Sequence, residues 1–427
     1  MISAFLHKIW AYALMLVCQL SGHACAYGAV AVEAPTQLNI QLPAGFKINV
    51  FSQLSDKLGV ESQAQPRMMA FDSKGRLYVA LASTNQIAML PDANKDGYAE
   101  SPVIIASHLN APNSIAFVDD NTMLIGNQDS VVKIRQVDGK WSMPTLLINP
   151  LPFGHHTLKT VKIGPDGFLY VNVGSSCNVC VEENPLRATI LRYTLKGKPL
   201  GSQTQDAQTQ NAQIKDTIGA SSPIWAKGLR NSQGFAWQPN TGAMFATNEG
   251  ADDRAKHKKG VVADDIPLEH LNRIDSGKHY GWPYCWGDSK GGLVEDQNFL
   301  APNVDFCKTA TPPAITFISH STPIGITFLD KTNFPAEFKN DAIVALHGSW
   351  NRKVPSGYKL VRVKFKGEKP VEVLDFATGW LNIDRTSQNK AQSKFWGRPV
   401  DVITGPDGAL YVSDDHAGVI YRISYQY

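Results

Sequence analysis

Six stretches of this chain repeat one rhythm: an apolar strand, a polar turn, then a second apolar strand. They start at Met68 (MMAFDSKGRLYVALAS), Ser114 (SIAFVDDNTMLIGNQ), Thr160 (TVKIGPDGFLYVNVGS), Gly234 (GFAWQPNTGAMFATNEG), Gly325 (GITFLDKTNFPAEFKNDAIVALHGS) and Asp401 (DVITGPDGALYVSDD). Asp-Gly, Lys-Gly and Thr-Gly pairs supply turns, and alternating β-branched and aromatic residues flank them, so each stretch reads as a β-hairpin. Roughly 30 to 80 residues separate consecutive hairpins, enough for two further strands and their loops. Recurrent four-stranded units at that period are blades, and the chain is read as an all-β, six-bladed β-propeller of four-stranded antiparallel blades. The terminal segments LNIQLPAGFKINVFSQ and GVIYRISYQY both alternate as strands. Sharing one blade between them closes the ring and leaves no exposed edge.

The 427 residues carry 43% hydrophobic and 19% charged side chains, which excludes a disordered chain and allows a large core. Net charge is +3, and no basic block is long enough to track a phosphate backbone, so nucleic acid is excluded as a partner. The dense basic run RAKHKKG (254–260) reads as a solvated loop. The first 26 residues read as a signal peptide. Lys8 supplies the positive region, IWAYALMLV the apolar one, and Ala24-Cys25-Ala26 the cleavage site, with residues 27–427 left as one propeller domain. Acylation at Cys25 is the weaker alternative, because Gly22 stands where a Leu-like residue is wanted. That apolar run is too short to span a bilayer, no later segment is long and apolar enough to do so, and a periplasmic or secreted location is expected. Cleavage leaves Cys177, Cys180, Cys285 and Cys307, an even number that in an exported chain points to disulfides. Neighbours pair as Cys177–Cys180 and Cys285–Cys307, although four cysteines allow three pairings, and a zinc site is the alternative. Val181 after the Cys-x-x-Cys rules out c-type haem attachment.

Propeller loops converge on the central channel, so residues far apart in sequence meet there. Four loop segments are chemically unusual: GHHTLKT; GLRNSQGFAW; NEGADDR with the downstream ADDIPLEHLNRIDSGKHYGWPYCWGD; and the cationic pair HGSWNRKVPSGYKLVRV and WGRPVDVITGPDG. Each has a bland reading. Arg-Asn at a strand start satisfies loop carbonyls, Asp264-Asp265 makes a solvated turn, and Trp282-Pro283 packs. Together, one His, several Arg, oxygen ligands and aromatic surfaces suit a flat polyanionic ligand held with a metal.

This ordered series resembles the soluble pyrroloquinoline quinone (PQQ)-dependent sugar dehydrogenases, most closely the L-sorbosone dehydrogenase branch, over nearly the whole mature chain. The resemblance implies PQQ and Ca²⁺ as cofactors, a sugar as substrate, and an external quinone or cytochrome as electron acceptor. The family's base falls on His156, seven residues before Ile163, and His155 is left to pack or bond locally. Arg230 and Asn231 fall on the pair that polarises the quinone carbonyl, and Gln233 on a further cofactor contact. Arg398 matches an Arg that binds a PQQ carboxylate, and Arg352 stands in for a family Lys. The Ca²⁺ ligands fall on the backbone carbonyls of Gly250 and Ala251, with Asp252, Asp253, Asp264 and Asp265 as weaker candidates.

Two positions depart from the glucose-oxidising members. Ser175 replaces the Asp that orients the base, and Val400 replaces a second carboxylate-binding Arg, a loss that either weakens cofactor binding or is offset by Arg352 or Lys353. Glucose is therefore not assumed as the substrate. The alternatives are a metal-dependent propeller lactonase, which wants Glu, Asn and Asp side chains around a central cation, and a non-catalytic carbohydrate-binding propeller.

Overall fold

The computed structural model describes residues 39–54, 64–202, 222–254, 264–382 and 394–426. The expected leader, most of the basic run 254–260 and most of the Gln-rich stretch 201–221, whose polar composition reads as a surface loop, lie outside them. All six expected hairpins are present, and each is the inner half of a four-stranded antiparallel sheet. The first two strands of blades 1 to 3 are Pro66–Phe71 and Leu77–Leu81, Ser114–Asp119 and Thr122–Gly126, and Val161–Ile163 and Leu169–Val173. Those of blades 4 to 6 are Phe235–Trp237 and Met244–Asn248, Pro323–Phe328 and Ala342–Leu346, and Pro399–Thr404 and Leu410–Asp414. First strands of blades 1 and 2, 2 and 3, 4 and 5, 5 and 6, and 6 and 1 abut, which places them around the axis.

Ring closure is also as expected. Phe46–Gln53 pairs antiparallel with Val419–Tyr425, so the N-terminal strand is the outermost strand of blade 6. That pairing costs the loop entropy of joining two distant segments, and it removes both sheet edges that an open propeller would expose.

The second strands read as near-continuous apolar runs, LYVAL, TMLIG, LYVNV and AIVAL, because both faces of each are buried. Six hydrophobic clusters explain this, each shared by two adjacent blades. Leu124, Val131 and Ile148 of blade 2, for example, pack on Val161, Leu169 and Leu191 of blade 3. Each fully buried Leu, Ile or Phe contributes about 1.5–3 kcal/mol. The turns carry their own repeat. In blades 1, 3 and 6 a turn Asp receives a Tyr hydroxyl: Tyr78 to Asp72 at 3.3 Å, Tyr170 to Asp166 at 2.8 Å, and Tyr411 to Asp407 at 3.2 Å. Gly75, Gly167 and Gly408 take φ of 78°, 77° and 75° there, a left-handed conformation that L side chains resist.

The segment around YGWPYCWGD, read as loop, forms an extra two-stranded ribbon, Cys285–Gly287 with Leu293–Glu295, outside the blade sheets. The Cys285–Cys307 disulfide ties it to the short helix Phe306–Thr309. Both neighbour pairings of cysteines are thus present, and Cys177 and Cys180 are bonded to each other. Among the described residues the only group of three His, Cys, Asp or Glu side chains at metal-binding spacing is Cys177, Cys180 and Glu182. Its sulfurs are spent in that disulfide, which answers the zinc alternative.

Candidate functional site

In an antiparallel hairpin the start of the first strand and the end of the second lie at the same end. Loops leading into first strands and loops leaving second strands therefore share one face of the propeller. His156, Arg230 and Arg398 stand in the former; Ser175, Glu249, Asp252, His347, Arg352 and Asp415 stand in the latter.

His156 sits just beyond the end of Leu169–Val173. Its ring Nδ1 is 2.8 Å from Ser175 Oγ, and the main-chain N–H of His156 donates to the Ser175 carbonyl at 3.2 Å. Ser175 Oγ in turn donates to the Cys177 carbonyl at 2.6 Å. A carbonyl has no proton to offer, so the single hydroxyl hydrogen is committed there, and Ser175 Oγ can only accept from His156. The neutral ring therefore carries its hydrogen on Nδ1 and presents a bare Nε2. Burial, then the Arg230 charge, then His155, push the imidazole down to about 2, which keeps it neutral. His155 is exposed and packs edge-on against it, with ring centroids 4.3 Å apart. Gly174 permits the approach: a Cβ there would lie 2.4 Å from His156 Cβ and 3.0 Å from Asn231 Oδ1.

Arg230, Asn231 and Gln233 are all buried. Arg230 donates from Nε to the Asn178 carbonyl at 3.1 Å, and from one terminal nitrogen to Asn178 Oδ1 at 3.0 Å and Asp252 Oδ2 at 2.9 Å. Asn231 and Gln233 donate to the two oxygens of Glu249, at 3.0 and 3.1 Å. Gln233 also accepts from Arg67 at 2.8 Å, and Arg67 pairs with Asp415 at 2.6 Å. Asp415 completes the chain by pairing with His347 at 2.9 Å.

Arg398 differs from these cations. Its guanidinium donates to the main-chain carbonyls of His347 and Gly348, at 3.3 and 2.8 Å, and lies 5.7 Å from the ring centres of Tyr358 and Phe395. It forms no ion pair among the described residues, so its charge is available to an anion. Arg352 spends its donors on the carbonyls of Asp264, Ser319 and Val354, which places it as the brace of its own loop. The neighbouring Asn351 reaches Asp252 at 2.7 Å. Val400 is fully buried in a small apolar cluster with Met68 and Ile324.

Gly250 donates its N–H to Glu269 Oε2 at 2.5 Å, and Ala251 is buried beside it. Burial raises the Glu249 carboxyl and pushes Glu269 up to about 8. Neither acid has an ion-pair partner among the described residues, so two buried carboxyl groups lie beside Gly250. That chemistry fits a divalent cation of the Ca²⁺ type. Asp252, by contrast, is held low despite its burial by His320, Arg230 and Asn351. Asp264 caps the Arg352 loop, accepting from Lys353 and Val354 at 3.1 and 3.2 Å.

Arg67, Asn178, Glu249, His347 and Asp415 were not singled out from the sequence. Arg67 had a readable signal, an Arg at the start of a first strand, as Arg398 is. The others carry none, because their partners are 16 to 348 residues away in the chain.

The geometry can be set beside known proteins. The aldose sugar dehydrogenase YliI of Escherichia coli is 24% identical over 64% of this chain, and the match spans 61% of that relative's length. The calcium structure of a Trichoderma reesei enzyme of carbohydrate-active family AA12 superposes with a TM-score of 0.72 at 19% identity, covering 94% of this chain and 100% of that one. The holo PQQ domain of pyranose dehydrogenase from Coprinopsis cinerea gives 0.71 at 19% identity, covering 91% and 98%. A family model described as TrAA12-like matches residues 49–426. With that match running almost from the first described strand to the last, the chain belongs to the TrAA12-like family.

Proposed function

We propose that this protein is an exported quinoprotein dehydrogenase, oxidising an aldose or sorbosone-type sugar with PQQ and Ca²⁺ and passing electrons to an external acceptor. The observation that carries the reading is the bare Nε2 of His156, held beside the Arg230–Asn231 pair on the face where the channel loops meet. Bound PQQ would supply a quinone carbonyl able to accept a hydride. His156 Nε2 takes the proton of the sugar hydroxyl as the C–H bond breaks, a task for a neutral imidazole. An anionic ligand would offset the field of Arg230, the second cause of the lowering after burial, and so make the ring more basic than in the cofactor-free protein. Arg230 and Asn231 offer fixed N–H donors where negative charge develops on the acceptor. Arg398, without an ion pair among the described residues, takes a ligand carboxylate, for which a planar guanidinium is suited. Gln233 and Arg67 hold the same ring of residues in place, and Arg352 serves by bracing the loop that carries Asn351. The carbonyls of Gly250 and Ala251, with Glu249 and Glu269 beneath them, would hold the cation.

The test is aldose-dependent reduction of an artificial electron acceptor by protein loaded with PQQ and Ca²⁺, across a broad sugar panel that includes sorbosone-type compounds. Turnover that falls by a factor of 10²–10⁴ in His156→Ala, with quinone binding kept, is the expected result. No activity and no quinone binding would sink the reading, and lactone hydrolysis without quinone would replace it.

A further inference from the structure

A hydroxyl is an ambivalent substitute for a carboxylate behind a base. An Asp can only accept from an imidazole N–H, so it selects a tautomer unaided. Ser175 accepts or donates, and selects nothing until its own proton is fixed. The acceptor that fixes it is the carbonyl of Cys177, and Cys177 is the first residue of a four-residue ring closed by the Cys177–Cys180 disulfide. The next residue in that ring is Asn178, which makes five hydrogen bonds. Its carbonyl accepts from Arg230 Nε and from Trp282 Nε1, each at 3.1 Å. Its side-chain oxygen accepts from Arg230 at 3.0 Å and from the Asp252 N–H at 2.8 Å, and its amide donates to the Asp252 carbonyl at 2.9 Å. The same loop thus reaches both groups of the proposed chemistry through adjacent residues. The preceding Ser176 is clamped as well, donating to both oxygens of Glu182 at 2.6 and 2.7 Å.

We infer that the disulfide-closed Cys177–Cys180 loop is a positioning device: through Ser175 it sets the proton-accepting tautomer of His156, and through Asn178 it holds the Arg230 guanidinium. The inference rests on the function proposed above for those two groups. Its physical basis is that an irregular loop without strand or helix has no repeating backbone ladder to hold its carbonyls in place. The cross-link and the Asn178 network take over that work. Loosening the ring frees the Ser175 hydroxyl to rotate, and the two neutral tautomers of His156 then interconvert. One of them presents N–H at Nε2 and cannot accept a proton there.

The experiment compares wild type, Cys177→Ser/Cys180→Ser, Ser175→Ala and Asn178→Ala. Imidazole ¹⁵N spectra of histidine-labelled, cofactor-free protein at pH 7 read the tautomer without any turnover, with His156 assigned by its loss in His156→Gln. Wild type is expected to show Nδ1–H alone, and the double Ser variant and Ser175→Ala a mixture. Ser175→Ala keeps the disulfide, so it separates the relay from any misfolding of the double variant. In PQQ- and Ca²⁺-loaded protein, Asn178→Ala is expected to lower kcat about 10- to 100-fold with the sugar KM within about threefold. A wild-type ring with Nε2–H, or a single unchanged tautomer in both Ser175→Ala and the folded double variant, overturns the inference. So does an Asn178→Ala enzyme with wild-type kcat. A tautomer change in the variants, with no sugar oxidation by wild type, supports the role of the loop and sinks the dehydrogenase reading instead.

Discussion

Gly174→Ala is the sharpest perturbation this site offers, because it adds one carbon between two functional side chains and removes nothing. The new Cβ would lie 2.4 Å from His156 Cβ and 2.8 Å from the His156 carbonyl oxygen. Carbon atoms rest about 3.5–4.0 Å apart, so the His156 segment must retreat by roughly 1.1 Å or more. Its bond to Ser175 Oγ is 2.8 Å. Lengthened by about 1 Å it is no longer a hydrogen bond. Asn231 Oδ1, 3.0 Å from the same Cβ, is crowded on the other side. Gly174 lies just past the strand Leu169–Val173, so the sheet pairing is untouched and overpacking costs about 1–3 kcal/mol. A base displaced by about 1 Å costs on the order of 100-fold in turnover. The assay is acceptor reduction by protein loaded with PQQ and Ca²⁺, alongside a thermal melt and a quinone titration. A folded Gly174→Ala enzyme retaining more than about half of wild-type kcat would refute the argument that His156 acts from this position.

Arg352→Ala is expected to leave quinone affinity within about threefold while costing about 1–3 kcal/mol of stability, since its guanidinium satisfies loop carbonyls; a loss of affinity beyond tenfold would return it to the cofactor site. In the cofactor-free protein His156 is expected to stay neutral at pH 5, where an ordinary histidine is mostly protonated, because burial and Arg230 lower its folded value to about 2. The sign follows: the unfolded chain binds a proton below about pH 6.5 that the folded ring refuses, so His156 costs stability as pH falls. His156→Gln should then flatten the decline between about pH 6.5 and 4.5 by up to about 1.4 kcal/mol per pH unit, read by denaturant titration, and an unchanged slope would contradict the buried neutral ring. Cys285→Ser/Cys307→Ser opens a loop with a sequence separation of 22, worth about 3 kcal/mol by chain entropy. Protease nicking confined to residues 288–304, with kcat unchanged, is the expected outcome, and a global collapse of the fold would contradict it.

The architecture was legible because it repeats. A period-2 alternation with a Gly-containing turn specifies a hairpin locally, and six such hairpins with room for two more strands between them leave one closed arrangement that buries every second strand on both faces. The pairing of Phe46–Gln53 with Val419–Tyr425 was readable for the same reason, as two orphan strands and one incomplete blade. His156 and Arg230 could be picked out because the ordered loop motifs that carry them resemble a known family, and both stand in loops leading into first strands. The extra ribbon at Cys285–Glu295 was not, since it belongs to no blade and is held by a disulfide and by Pro- and Gly-rich turns.

Which of those side chains act on one another was decided only in three dimensions. Sequence made Ser175 a missing Asp, whereas the fold supplies the Cys177 carbonyl that turns its hydroxyl into a dedicated acceptor. The resemblance placed Arg230, Arg352 and Arg398 together as cations at the cofactor site. Tertiary structure separates them into one paired with Asp252, one consumed by its loop and one without an ion pair among the described residues. Arg67 reaches Asp415 across 348 positions of chain, because ring closure sets the first and sixth blades side by side. Hairpins are determined by neighbours two residues apart and are therefore written in the chain; the charges and protons of the channel face depend on contacts between blades, and exist only once the ring has closed.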